Sequence, residues 1–163
     1  GLIYTTAKNY CKDNDKCELP MPIIAYGNTV SELSNHILDA QMGQGSNNSP
    51  ISSILTYKKP EDDSRNWLYK KMVADICPNP RGGAGECDEY PFNSSFEGGE
   101  TNYALGGVSL RMIKAEHNNL GGRYLGNMYR KDKIQVGDKF LVMASPQLPE
   151  SFYMTRKGQI RFF

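Results

Sequence analysis

The chain has 163 residues, 39% of them apolar and 23% charged, with 19 Lys/Arg against 18 Asp/Glu for a net charge of +1. That length holds one domain with a real hydrophobic core and is too short for two comfortable ones. No run approaches the roughly 18 apolar residues of a membrane span, and Gly1-Leu2-Ile3-Tyr4 opens no basic region leading into an apolar stretch, so a soluble, processed or excised domain is expected.

Taken in chain order, the first thirty residues mix charges, prolines and two cysteines, then run into the apolar segment Met21 to Tyr26. This suits a short strand, and Pro20 and Pro22 predict an edge position for it. Ser31 to Met42 predicts a helix capped by Ser31 or Thr29, because Leu33, Ile37, Leu38 and Met42 recur at three- and four-residue steps. Gly43 and Gly45 end it. Ile51 to Tyr57 predicts a strand, and Asp62 to Asp75 a second helix. Thr101 to Lys114 alternates loosely around Tyr103, Leu105, Val108, Leu110 and Met112 and predicts a strand or hairpin with its turn at Gly106-Gly107. Glu116 to Arg130 has helical spacing in Tyr124, Leu125 and Met128. Val136 to Ala144 predicts a further strand after the Gly137-Asp138 turn, and the proline-containing tail has room for one more.

The four cysteines fall as two close pairs, Cys11 with Cys17 and Cys77 with Cys87. Four cysteines permit three pairings; two local disulfides are the simple reading, since gaps of this size lack the tight knuckles of structural zinc sites. Paired cysteines argue for an oxidising compartment or a secreted life. The near-neutral total also hides an asymmetry. Residues 103–163 carry ten Lys/Arg against four Asp/Glu, enough to present a positive face to a polyanion.

The stretch Cys87-Asp88-Glu89-Tyr90-Pro91-Phe92-Asn93-Ser94-Ser95-Phe96-Glu97-Gly98-Gly99 concentrates carboxylates, a proline and paired glycines. Asp88 and Glu97 flank a constrained loop that can aim both at one metal ion or one water; the alternative is a polar surface loop pinned by a disulfide. Tyr90, Pro91 and Phe92 are the kind of residues that anchor such a loop in a core. His36, inside the first predicted helix, reads as a structural or surface residue.

With Cys87-Asp88-Glu89-Tyr90-Pro91-Phe92, then Glu97-Gly98-Gly99, then His117-Asn118-Asn119-Leu120-Gly121-Gly122-Arg123-Tyr124-Leu125-Gly126, the chain resembles the NucA/NucB family of small secreted bacterial deoxyribonucleases. The similarity covers about residues 23–144, with extensions at both ends of a single domain spanning 1–163. The resemblance implies an α+β fold, a small mixed domain with a ββα-metal nuclease core in which antiparallel strands pack against helices. It implies a metal-dependent, nonspecific endodeoxyribonuclease, secreted or delivered as a toxin payload, with Asp88 activating water and Asn118 holding a divalent Mg²⁺ or Mn²⁺. Glu97 and His117 are further candidate metal contacts, with Glu89 ranked below Glu97. Arg123 is a candidate phosphate clamp, with Arg81 and Arg111 as substitutes. DNA, or RNA, is the expected partner, and the payload version adds an acidic immunity protein. The competing reading is a catalytically silent, disulfide-stabilised binding module with a basic face.

Overall fold

The computed structural model describes residues 18–60, 75–77 and 85–163. Cys11, Cys17, Arg81 and the helix expected from residue 62, save its last residue, lie outside these. The elements are β1 (Ile23–Tyr26), a 3-10 turn (Asn28–Val30), α1 (Ser31–Gln41), β2 (Ile54–Thr56), β3 (Gly85–Tyr90), α2 (Gly99–Ala104), β4 (Ser109–Lys114), α3 (Ala115–Lys131), β5 (Lys139–Ala144), β6 (Phe152–Met154) and β7 (Ile160–Phe162). They build a five-stranded sheet in the order β2-β5-β1-β6-β7 and a separate β3-β4 hairpin. The expected α+β class is the one observed.

β1 lies in the middle of the sheet rather than at its edge, parallel to β5 and antiparallel to β6. Its four residues are all buried, as a strand covered on both faces requires. Ile24 and Tyr26 enter the main core, while Ile23 and Ala25 face a smaller cluster with Leu19, Phe152 and Met154. The prolines do not interfere, because both precede the strand, and the Pro22 carbonyl accepts the Leu141 N–H at 2.9 Å. β5 alternates in the same way, with Phe140 and Val142 facing the main core and Leu141 and Met143 the other side. The C-terminal tail is built into this sheet, since β6 pairs with β1 and β7 with β6.

α1 buries Leu33 and Ile37 of the expected stripe together with Ala40, whereas Leu38 is only half-buried and Met42, at the C-cap, is 53% exposed. Its cap differs from expectation. Val30 occupies the N-cap position without a side-chain bond, and Thr29 Oγ1 instead meets Ser151 Oγ at 2.6 Å. The Glu32 N–H, left without an intrahelical acceptor, donates to His117 Nδ1 at 3.2 Å. At the other end Gly43, with φ +74, takes the left-handed position that closes many helices.

Thr101–Ala104, expected as strand, is helical in α2. Alternation there rested on Tyr103 and Leu105, and Leu105 is 81% exposed. Asn102 Nδ2 bonds back to the carbonyls of Phe96 and Gly98 at 2.9 and 2.7 Å, a local side-chain to backbone link that favours the turn. The strand starts later, at Ser109, and pairs with β3 from Gly85↔Lys114 to Tyr90↔Ser109. α3 follows β4 without a connecting residue.

α3 packs tightly against α1 and β1 at Gly121. A Cβ there would lie 2.1 Å from Leu33 Cδ2 and 3.3 Å from Tyr26 Cε1, whereas one at Gly122 would meet nothing within 4 Å. Alanine is the better helix former by up to about 1 kcal/mol. Gly122→Ala should therefore raise stability by about 0.5–1 kcal/mol, while Gly121→Ala should lower it by about 1–3 kcal/mol through overpacking, read as opposite shifts in the urea midpoint.

Burial also lifts the phenol pKa of Tyr26, Tyr90 and Tyr129 above the ordinary tyrosine range. Their unfolded counterparts lose protons near pH ~10, so above that the unfolded state binds fewer protons than the native one and stability falls as pH rises. In an alkaline titration, phenolate absorbance from these three should emerge only together with loss of near-UV circular dichroism.

Candidate active site

Successive residues of β3 point to opposite faces, which sorts its chemistry. Cys87 and Glu89 share one face. Cys87 is bonded to Cys77, with Cα atoms 5.9 Å apart, and packs near Val108 and Leu110. This is the expected local disulfide, and it removes both sulfurs from consideration as zinc ligands. Glu86, Asp88 and Tyr90 take the other face, toward α1 and α3.

Asp88 is 5% exposed, and its Oδ2 lies 2.6 Å from Nδ1 of His36, a residue with no exposed surface at all. The other ring nitrogen of His36 lies 2.9 Å from Ser109 Oγ, which also accepts the Ser46 N–H at 3.0 Å. A buried chain thus runs from β3 through α1 to β4 and the 43–53 loop. Burial raises the Asp88 pKa above the usual aspartate value, opposed by the hydrogen bond and charge of His36, the Glu89 N–H and the Arg111 charge. Arg111 itself pairs with Asp39 of α1 at 2.9 Å.

One pleat away, Glu86 meets α3. Asn118 Nδ2 donates to Glu86 Oε2 at 2.8 Å, and Asn119 Nδ2 to Oε1 at 3.3 Å. Asn118 belongs to the first turns of a helix that begins directly at the hairpin's end, so the short β4-α3 junction fixes the distance between strand and amide.

The remaining candidates are placed elsewhere. Glu97 Oε1 accepts the Thr56 N–H at 2.5 Å, so its carboxylate ties the loop after β3 to β2. His117 Nδ1 is engaged as an acceptor from Glu32; in that tautomer the proton sits on Nε2, which then has no lone pair for a cation. Arg123 is exposed on α3. Glu89 is on the opposite face of β3 from Asp88. Among the described residues no group of three or more His, Cys, Asp or Glu side chains is gathered as a metal site. Tyr90 and Phe92 anchor the loop as expected. Tyr90 is fully buried with its hydroxyl donating to the Ser52 carbonyl at 2.7 Å, and Phe92 stacks on Phe140 with an interplanar angle of 10°.

Two residues of the site are not among the expected site residues: Glu86 is not named there, and His36 is expected as a structural or surface residue. Glu86 was accessible in principle, being two positions before Asp88 and hence on its face of the strand. His36 carried a fainter signal, a titratable ring beside the buried stripe of Leu33, Ile37 and Ala40, where a buried polar group demands a partner.

The hairpin running straight into a helix makes a ββα unit inside a mixed α+β domain, the architecture of a small nuclease. The chain belongs to the deoxyribonuclease NucA/NucB family, whose family model matches residues 42–143. It is thus an endonuclease with DNA as substrate. No curated protein shows significant similarity to the chain.

If Glu97 works only as a link between the loop and β2, Glu97→Ala should lower the thermal midpoint while leaving the cleavage rate of the folded enzyme within about twofold. Loss of the charge-assisted bond is worth about 1.5–3 kcal/mol. A variant with unchanged stability and abolished cleavage would return Glu97 to the reaction.

Proposed function

We propose that this domain is a secreted, metal-dependent, sequence-nonspecific endodeoxyribonuclease in which Asp88 is the general base, His36 positions it, and Glu86 and Asn118 hold the cation. The observation carrying the reading is the Glu86–Asn118 contact on the same strand face as the Asp88–His36 pair, the two carboxylate positions being about 7 Å apart along the strand. The Cys77–Cys87 disulfide supports an oxidising compartment.

The donor set fits a hard divalent cation. Glu86 offers carboxylate oxygens and Asn118 an amide carbonyl, the oxygen chemistry preferred by Mg²⁺ and Mn²⁺, and a small protein ligand set suits an ion that keeps several waters. When bound, such a cation supplies Lewis-acid stabilisation of the phosphate and of the departing 3′-oxygen.

The chain's own residues carry the proton chemistry. Asp88 accepts a proton from the attacking water as its oxygen bonds to phosphorus; the P–O3′ bond breaks, and the 3′-oxygen leaves protonated by solvent. Free aspartate is a weak base, with a pKa of about 3.9, so the rise caused by burial brings it closer to its task. His36 fixes one carboxylate oxygen and cannot itself reach substrate, being wholly enclosed.

Supercoiled plasmid tests the assignment. Wild type should nick it with Mg²⁺ or Mn²⁺ and stop in EDTA; Asp88→Asn should lose about 10²–10⁴-fold in rate, with Glu86→Gln and Asn118→Ala losing activity that excess Mn²⁺ partly restores. Circular dichroism establishes that each variant is folded. EDTA-resistant cleavage would remove the cation from the reading, and a folded Asp88→Asn enzyme of wild-type rate would remove the base.

A further inference from the structure

The far end of α3 carries a second concentration of charge that the reaction does not use. Two adjoining clefts, of about 340 and 220 Å³, open between the last turn of α3 and the β6–β7 hairpin, sharing Lys131, Thr155 and Gln159. Lys133 and Lys157 line one and Arg161 the other. Lys131, Lys133, Lys157 and Arg161 are all exposed, and among the described residues none has an acidic side chain within ion-pair distance. Among the described residues lining the clefts, Glu18 is the one acid without an ion-pair partner. Asp132 is taken by Arg156, whose Nε lies 2.8 Å from Oδ2 and whose own N–H donates to Oδ1 at 2.7 Å. That pairing, buried on the Asp132 side only, holds the β6–β7 turn against the helix end and neutralises the local carboxylate, leaving the four cations free to attract an anion.

We propose that this cleft anchors backbone phosphates of the DNA about six base pairs from the bond that is cut, a reading that rests on the nuclease assignment above. The spacing follows from the helix. Lys131 is thirteen residues beyond Asn118, about 20 Å along α3 at ~1.5 Å per residue, and duplex DNA rises ~3.4 Å per base pair. Between the two ends Arg123 and Arg130, seven residues apart and therefore on one face of α3, are both exposed. DNA laid along that face would meet cations. Tyr153 and Ile160 are the apolar members of the larger cleft, so the lining suits charged backbone better than stacked bases, and binding there is independent of sequence.

The test compares wild type with the triple variant Lys131→Gln/Lys157→Gln/Arg161→Gln. Affinity for a labelled duplex of about 20 base pairs is read by fluorescence anisotropy in EDTA across a salt series, and cleavage is then read with Mg²⁺. Each lost phosphate contact removes about 0.9 from the slope of log K against log salt, so the variant should bind at least about tenfold more weakly at low salt, with a slope shallower by about 2–3. Its KM on long DNA should rise with kcat kept, and on a DNA hairpin whose stem of about four base pairs is too short to reach the cleft, the two enzymes should be indistinguishable. Unchanged affinity and slope in the variant would overturn the proposal and leave the cleft to another anion, such as an acidic protein; so would wild type that does not bind duplex at low salt. Wild type that shows the slope difference and cuts nothing would keep the anchor and remove the catalytic reading instead.

Discussion

The contact between His36 and Asp88 is the constraint on which the site depends. Two titratable side chains, separated by 52 residues in sequence, meet at 2.6 Å where neither has appreciable access to water. Removing one partner from such a pair leaves an uncompensated buried group and costs about 3–5 kcal/mol. The pair therefore holds α1 against the hairpin as firmly as it holds the carboxylate in place. Ser109 extends the restraint, since its hydroxyl joins His36 to the loop after α1 while Ser46 Oγ accepts the Leu110 N–H at 2.8 Å. Helix, both hairpin strands and loop are thus linked by one polar network with its members satisfied, the condition under which buried polarity favours a single arrangement.

α1 lies before the segment that matches the family, yet it is coupled to the site at both ends. Near its C-terminus Asp39 pairs with Arg111, the residue opposite Asp88 in the hairpin. At its N-terminus the Glu32 N–H is received by His117, and the Glu32 carboxylate accepts the Lys114 N–H at 3.2 Å, at the residue where β4 becomes α3. Since Asn118 follows His117 directly, the start of α1 and the position of the proposed cation-binding amide are set by the same few contacts. Gly121 completes the arrangement by letting α3 settle onto Leu33 and Tyr26.

Much of this was legible in the sequence, for identifiable reasons. The recurrence of Leu33, Ile37, Leu38 and Met42 announces α1, the run from Met21 to Tyr26 announces a strand, and the motifs around Asp88 and Asn118 announce the hairpin and helix that bear them. What was not legible was long-range. A rule about prolines in strands says which N–H groups are missing, but not that Pro22 would stand just outside the strand and offer its carbonyl to β5. Glu97 and Glu86 are equally plausible ligands on paper, and only the register of β3 against α3 brings Glu86 to Asn118 while the loop's return along β2 takes Glu97 to Thr56. His36 is the extreme case. Nothing local to Ser31–Gln41 indicates which distant acid its ring will meet.

The burial that raises the pKa of Asp88, the proposed base, also restricts it. Desolvation raises proton affinity by penalising the carboxylate, but a group enclosed on every side could not exchange a proton with a water bound to substrate. Its environment reconciles the two demands unevenly. His36, the Glu89 N–H and the Arg111 charge each stabilise the anion and return part of what burial took, so the carboxylate remains ionisable while still raised above the ordinary range. Because His36 is fully enclosed and Asp88 retains a small exposed margin, proton traffic with the outside has to pass through the aspartate. In the proposed reaction the histidine thus stands behind the acid, where it would tune and orient the base without becoming one.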